Sequence, residues 1–259
     1  MTPSEFVKSD YDPVAEGRFF SSIVLANGSF KATCPNRLND LNALSIPHIR
    51  AIDHRPLKIK DVACSSGVST EEWYRALSTA GISTEVTGTD ISVEALHLRG
   101  RFVEVLLDRK FNIIHANMAG TPVHPRILKA LRAPVGCILR PFRKRLTPGT
   151  IRLVSRSVRN VRVEYGDLDD HECQRDRVFD VIRAANILNI AYFEGECLRR
   201  MTFDLLRELR EMGLFIVCRT REDGSNHATL FRYEGFRLRV VERLGEGSEL
   251  ESILADVLI

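Results

Sequence analysis

Along residues 57–64 (LKIKDVAC) apolar positions first alternate with polar ones and then run together. That is the pattern of a strand entering a sheet buried on both faces. A turn of small residues follows, Ala63-Cys64-Ser65-Ser66-Gly67, and then a helical stretch with Trp73, Leu77 and Ala80 on its inner face, ended by Gly81. Ser69 or Thr70 is the expected N-cap, with Glu71 and Glu72 in the first turn. A second strand is predicted over 85–91, ending at Asp90, with Ser92 capping a short helix from Val93. Residues 102–117 read as two short strands around Asp108-Arg109-Lys110, and 161–165 as another. Residues 179–185 and 214–218 are apolar enough for buried strands. Between them, residues 195–211 place Leu198, Met201, Leu205 and Leu209 on one stripe of an amphipathic helix that Gly213 should break. The stretches 228–233 and 236–243 alternate around Glu234-Gly235, as a terminal antiparallel hairpin would, and a last helix is expected over about 248–257. Strands that alternate with helices define an α/β chain, with a mostly parallel sheet covered by helices on both faces.

Residues 1–56 read as an N-terminal extension and 57–259 as the main domain. In the extension Phe19, Phe20 and Ile23 form an apolar cluster, and Leu38, Leu41 and Leu44 recur at helical spacing behind Asn36 as a candidate N-cap. Two roles stay open for it: a lid over a ligand, or simple packing on the sheet.

The chemistry is concentrated at the strand ends. Small residues in a strand-to-helix turn let a ligand approach the backbone, and the helix start behind them offers unbonded N–H groups to a polar or anionic group. An acidic residue at the tip of the next strand, Asp90, can accept hydrogen bonds from both hydroxyls of a ribose. The set points to a nucleoside-containing cofactor at the carboxyl edge of the sheet. The glycine spacing of a nicotinamide fingerprint is missing, since Ala63 and Ser65 stand where glycines would.

The spacing Asp61-Val62-Ala63-Cys64-Ser65-Ser66-Gly67 resembles the first motif of class I S-adenosylmethionine (SAM) methyltransferases, and Val86-Thr87-Gly88-Thr89-Asp90-Ile91 resembles their ribose-binding motif. The local sequence is most similar to the CheR-type protein-glutamate methyltransferases, through Ala63–Gly67, Thr89-Asp90-Ile91, Phe179-Asp180-Val181-Ile182, Asn186-Ile187-Leu188 and Tyr192-Phe193. It covers roughly residues 57–220 and departs at three places. Val68-Ser69-Thr70 displaces the acidic pair Glu71-Glu72, Ala185 replaces an arginine, and two extra residues separate Leu188 from Tyr192. The resemblance implies a Rossmann-like fold with a seven-stranded sheet. It implies that Asp61 and Ala63, Cys64, Ser65 and Gly67 hold the methionine end of SAM, that Asp90 binds the ribose with Ile91 against the adenine, and that Asp167 and Leu168 contact the adenine. Asn186 is a candidate for positioning cofactor or acceptor, or merely a capped strand end. Tyr192 is a candidate lining the acceptor site, although a core position is the more economical reading. The implied activity is methyl transfer to a small-molecule acceptor, with an anionic one among the candidates. The alternatives are CheR-like glutamate methylation and a non-catalytic SAM-binding sensor or scaffold.

Charge adds a second feature. The 259-residue chain has a net charge of +3, yet residues 109–163 hold 13 Lys and Arg and no acid, which leaves −10 for the rest. This basic insertion, at about 119–160, carries prolines at 122, 125, 134, 141 and 148 that should break it into short helical pieces. It suits a solvated basic face first, then an anionic substrate or carrier, with a membrane surface or RNA behind. The acidic run Asp167–Glu172 is better read as a solvated helix start than as a metal site. Six scattered cysteines without a C-x-x-C pair suggest reduced thiols and a cytoplasmic setting rather than zinc or disulfides.

Overall fold

The computed structural model describes residues 1–25, 28, 30–31, 34–124, 147–168, 177–190 and 192–254. In chain order the strands are β1 (Leu57–Val62), β2 (Thr84–Asp90), β3 (Glu94–Arg99), β4 (Val103–Leu107), β5 (Ile113–Met118), β6 (Thr121–Pro122), β7 (Thr147–Arg152), β8 (Arg162–Tyr165), β9 (Phe179–Ala185), β10 (Leu209–Thr220), β11 (Asn226–Glu234) and β12 (Arg237–Leu244). The helices are α1 (Pro3–Lys8), α2 (Pro13–Ser21), α3 (Asn39–Arg50), α4 (Val68–Thr79), α5 (Gly195–Glu208) and α6 (Leu250–Leu254). The chain forms two compact units, Met1–Cys34 with Ser92–Val158, and Pro35–Ile91 with Arg159–Ile259. The stretch 1–56 is therefore divided between them, and the second unit is interrupted between β2 and β8.

The second unit is built on a seven-stranded sheet ordered β12-β11-β10-β9-β1-β2-β8. β8, β2, β1, β9 and β10 run parallel. β11 is antiparallel to β10, and β12 to β11. From β1 the chain builds outward in one direction through β2 and β8, then in the other through β9 and β10. The order therefore reverses between β1 and β9. Both faces of the sheet are covered, which is why its central strands read as apolar runs. On one face Leu41 and Ile49 of α3 and Trp73 and Leu77 of α4 pack on Ile59, Val181 and Ile216. On the other, Leu198, Met201 and Leu205 of α5 pack on Val62, Ile182 and Phe215. Burying each such side chain contributes roughly 1.5–3 kcal/mol.

Several local expectations are corrected. α4 starts one residue earlier than its predicted caps, at Val68, and its N-cap is the left-handed Gly67, with no side-chain cap bond. α3 begins at Asn39 with Leu38 at the cap, so Asn36 stands outside the helix and accepts from the Asn39 side chain at 3.3 Å. The helix over 195–211 ends at Glu208, because the chain already enters β10 at Leu209. Gly213 lies at a register shift of that strand, where a Cβ would come within 2.8 Å of the Arg210 carbonyl oxygen.

The first unit is a five-stranded antiparallel sheet ordered β6-β5-β4-β3-β7. The short helix predicted from Val93 is instead β3, paired with β4 and β7. Burial along EALHLR alternates, with Ala95 and His97 inside, and strand pairing, not the Ser92 cap, decides its state. On one face Phe6 of α1, Phe19 and Phe20 of α2, and Ile23 just after α2 form a core with Ala95, Leu106, Ile114 and Ile151. The Phe6 and Phe19 rings stack at 4.6 Å. Of the basic insertion, the expected helical pieces at 125–146 lie outside the described residues, while β6 and β7 on either side are edge strands of this sheet.

Candidate functional site

β1 and β9 are neighbours at the reversal point of the parallel sheet, and their carboxyl ends carry Ala63 and Asn186. The backbone there is unusual. Ala63, Ser65 and Gly67 are all left-handed, at φ 53, 57 and 82°, and Asn186 is left-handed at φ 62°. Cys64 and Ser66 between them are not. For Ala63 and Ser65 this conformation costs on the order of 1–2 kcal/mol each. Local strain of that kind clusters at ligand-holding sites.

Internal bonds fix the loop. The Cys64 amide donates to the Thr89 carbonyl at 2.9 Å and the Gly67 amide to the Cys64 carbonyl at 3.0 Å. The Ser65 amide donates to Asp90 Oδ2 at 2.9 Å, so the acid at the tip of β2 is tied to the turn at the end of β1. Gly88 makes the close approach possible, since a Cβ there would lie 2.8 Å from Cys64 Sγ. Beyond the loop, among the described residues, the first turn of α4 has no capping side chain and the buried Ser66 and Ser69 hydroxyls have no hydrogen-bond partner. Asp90 is buried, whereas Ile91 beside it is 43% exposed. The Gly166 amide bonds the Asp90 carbonyl at 3.2 Å, which brings Asp167 and Leu168 to the same edge. The rest of the acidic run, 169–172, lies outside the described residues, and among those described no group of three or more His, Cys, Asp or Glu could hold a metal.

Asp61 is not available as expected. Arg183 lies directly across from it on β9. The Arg183 guanidinium grips the Asp61 carboxylate through Nε at 2.8 Å and Nη2 at 2.7 Å, and Thr70 Oγ1 donates to it at 2.6 Å. Arg183 is itself fully buried, also donates to Asn42 Oδ1 at 2.9 Å and to the Ser69 carbonyl at 3.2 Å, and lies 4.0 Å over the Trp73 ring. A buried ion pair needs this degree of satisfaction to offset its desolvation. Asp61 thus braces β1, β9 and the start of α4. Sequence reasoning missed Arg183, although an arginine inside the apolar run FDVIRAA signals a buried partner.

Asn186 closes a strand end. Its Oδ1 accepts the Thr220 amide at 2.6 Å and its Nδ2 donates to Thr220 Oγ1 at 3.1 Å. Both atoms of the side chain are committed to β10. Tyr192 is not a core residue: it is 52% exposed, edge-on to Phe193. The displaced acids have structural partners. Glu71 accepts from the Arg159 and Asn160 amides, the Asn160 side chain and Arg75. Burial alone would raise its pKa, but those donors outweigh burial and hold the carboxyl below its ordinary value. Glu72 is raised by burial, against the Asn36 amide and nearby arginines. Asp180, at the opposite end of β9, takes His54 at 2.7 Å, Arg210 at 2.9 Å and the Lys58 amide at 2.7 Å, which makes it a packing residue.

Two cavities among the described residues have linings that do not include the Ala63–Gly67 loop. One, of about 550 Å³, lies at the carboxyl end of β10, where Arg219, Thr220, Arg221, His227 and Ser248 line it. Its arginines are paired, Arg219 with Glu249 and Arg221 with Glu246. The other, of about 330 Å³, belongs to the first unit.

No protein-family model and no curated protein matches the chain. Among solved structures it is similar to CalS10, an amino pentose methyltransferase from Micromonospora echinaspora, at 14% identity over 96% of this chain and 89% of that one, with a TM-score of 0.38. A SAM-dependent methyltransferase from Clostridium acetobutylicum gives 12% identity over 86% and 80%, with a TM-score of 0.37. The CMeT domain structure of citrinin polyketide synthase gives 14% identity over 71% of this chain, which spans only 35% of that one, with a TM-score of 0.39. Likenesses this slight decide neither the fold nor the chemistry, which rest on the topology and residues of this chain. Among the described residues no helix is long and apolar enough to cross a membrane.

Proposed function

We propose that the second unit binds SAM at the reversal point between β1 and β9 and that the chain is a class I SAM-dependent methyltransferase acting on a small polar acceptor. The observation that carries this reading is the left-handed alternation at Ala63, Ser65 and Gly67, tied through the Ser65 amide to Asp90 at the edge where open α/β sheets bind ligands. The residues present fit the cofactor in part. The uncapped first turn of α4 and the partnerless Ser66 and Ser69 hydroxyls suit the polar methionine end. Asp90 suits the ribose hydroxyls, exposed Ile91 the adenine face, and Asp167 with Leu168 the adenine edge. Asp61 does not contact the ligand in this proposal; it holds the loop through Arg183 and Thr70.

When bound, SAM supplies an activated methyl group, so the chain's own task is to align an acceptor and exclude water. The cavity of about 550 Å³ is of the size that takes small ligands. Thr220 in its wall is bonded to Asn186, which joins this cavity to the β9 end. Its paired arginines and acids favour an acceptor of mixed polarity over a simple anion. A second reading, binding without turnover, is favoured by the commitment of both Asn186 side-chain atoms to Thr220. The glutamate-methylating alternative gains nothing comparable, since Ala185 stands where that family has arginine.

The assignment is tested by Asp90→Ala. Loss of a hydrogen bond to a charged group should weaken S-adenosylhomocysteine binding by about 1.5–3 kcal/mol. An unchanged dissociation constant in a folded variant would remove Asp90 from the site.

A further inference from the structure

The turn between β10 and β11 and the segment after β12 meet at one imidazole, that of His227 in β11. Its Nδ1 accepts the Glu246 backbone N–H at 2.9 Å. A backbone N–H can only donate, so Nδ1 carries no hydrogen. The other ring nitrogen, Nε2, lies 3.2 Å from Ser225 Oγ. That hydroxyl gives its own hydrogen to Asp223 Oδ1 at 2.6 Å, so Nε2 must be the donor. Two independent bonds therefore fix the same state, a neutral ring with its hydrogen on Nε2. Gly245 allows the close approach: it is left-handed at φ 59°, and a Cβ there would lie 2.7 Å from Nδ1.

A second proton can enter this ring only at Nδ1, where it would point at the Glu246 N–H. The bond would give way to two opposed hydrogens, while the Nε2 bond to Ser225 would survive. The charges around the ring permit protonation. Asp223 of the β10–β11 turn and Glu246 after β12 both interact electrostatically with His227 and favour a positive ring. The cations nearby are paired: Arg221 with Glu246, Arg219 across the ladder with Glu249, and Arg243 of β12 with Glu251. Asp40 reaches the neighbouring Asn226 at 2.7 Å. The other anchors of the segment differ in kind. The Ser248 amide donates to Thr229 Oγ1 at 2.7 Å, and Glu249 accepts from Arg219 at 2.9 Å and from the Ile190 amide at 2.7 Å. A hydroxyl keeps its charge state in this range, and a carboxylate loses its charge only at about pH 4. Histidine is the side chain that ordinarily changes charge between about pH 5 and 8.

His227 and residues 247–249 line the cavity of about 550 Å³. We propose that His227 is a pH-sensitive latch on that wall: the neutral ring holds Glu246, and the protonated ring releases it, so that acid loosens residues 245–247 while Ser248 and Glu249 stay anchored. That the latch controls room for an acceptor rests on the methyltransferase reading; the latch itself does not.

The test follows the full chain, isotopically labelled, by NMR from about pH 8 to about pH 5.5. At the upper end, long-range proton–nitrogen correlations of the ring should place its hydrogen on Nε2. As the ring gains a proton, the Glu246 and Gly247 amide resonances should move with the same midpoint. Protection of the Glu246 amide from exchange, corrected for the intrinsic effect of pH, should fall roughly fivefold, the effect of one hydrogen bond. His227→Asn offers an acceptor oxygen near the Nδ1 position and takes up no proton, so both amides should keep their high-pH positions throughout. His227→Ala should show the released positions at every pH. The proposal is overturned by a ring with its hydrogen on Nδ1 at the upper end, by a ring that stays neutral to the lower end, by amides that stay still while the ring titrates, or by amides that titrate equally in His227→Asn. None of these readings uses SAM, so the latch and the cofactor assignment fail separately.

Discussion

Two groups of buried polar residues, one in each unit, stand in contrast. In the parallel sheet, the ion pair of Asp61 and Arg183 is saturated by Thr70, Asn42 and the Ser69 carbonyl. In the antiparallel sheet, Asn117 Nδ2 and His115 Nε2 are buried without partners among the described residues. His115 donates from Nδ1 to Ser22 Oγ at 3.1 Å, because that hydroxyl already donates to the Phe19 carbonyl at 2.6 Å. A saturated group holds shape and has no capacity left for a ligand. An unsaturated one costs stability and calls for a cause, such as strain or an ordered water. An acidic residue in a motif is therefore not a ligand contact until its bonds are counted. By that count Asp61 leaves the cofactor proposal.

The sharpest way to break this contrast is Asp61→Ala, which strands the Arg183 charge in the core. Urea unfolding should show a loss of about 3–5 kcal/mol, whereas Asp61→Leu combined with Arg183→Met should recover most of it. A loss below about 1 kcal/mol for the single variant would mean the pair does not brace the sheet. Next is acid. Burial lowers the His115 pKa from 6.5 to about 4, so the folded protein favours the neutral ring. The stability this gives is complete above the unfolded value and is lost as pH falls from 6.5 toward 4. Relative to His115→Gln, the parent should lose on the order of 3 kcal/mol across that window. Parallel pH profiles would show that the ring is solvated. The smallest effect is expected for Gly88→Ala, whose Cβ would press on Cys64 Sγ. It should cost about 1–3 kcal/mol, relieved in part by Cys64→Ala. Full additivity of the two would separate Gly88 from the loop.

Much of the parallel sheet was legible because strands buried on both faces leave mostly apolar stretches, as in Phe179–Ala185 and Leu214–Cys218, while Leu57–Val62 shows as alternation. The loop and Asp90 were legible because spacing reports backbone geometry: the left-handed positions 63, 65 and 67 are those where the motif has small residues or glycine. The role of Asp61 was not, because its partner Arg183 lies 122 positions away and only the β1–β9 register brings them together. The partition into two units was hidden for a related reason. Glu94–Arg99 follows a plausible helix cap, and the pairing of β3 with β4 and β7 overrides that local signal. Asn117 carries no sequence signal at all, since only the absence of a partner distinguishes it.

The central claim is that the β1–β9 edge of the second unit binds an adenosyl cofactor. The most direct measurement is calorimetric titration of the folded protein with S-adenosylhomocysteine, with NAD as the control. The account predicts binding of S-adenosylhomocysteine in about the micromolar range and none of NAD. Heat from NAD alone, or from neither compound, would contradict it.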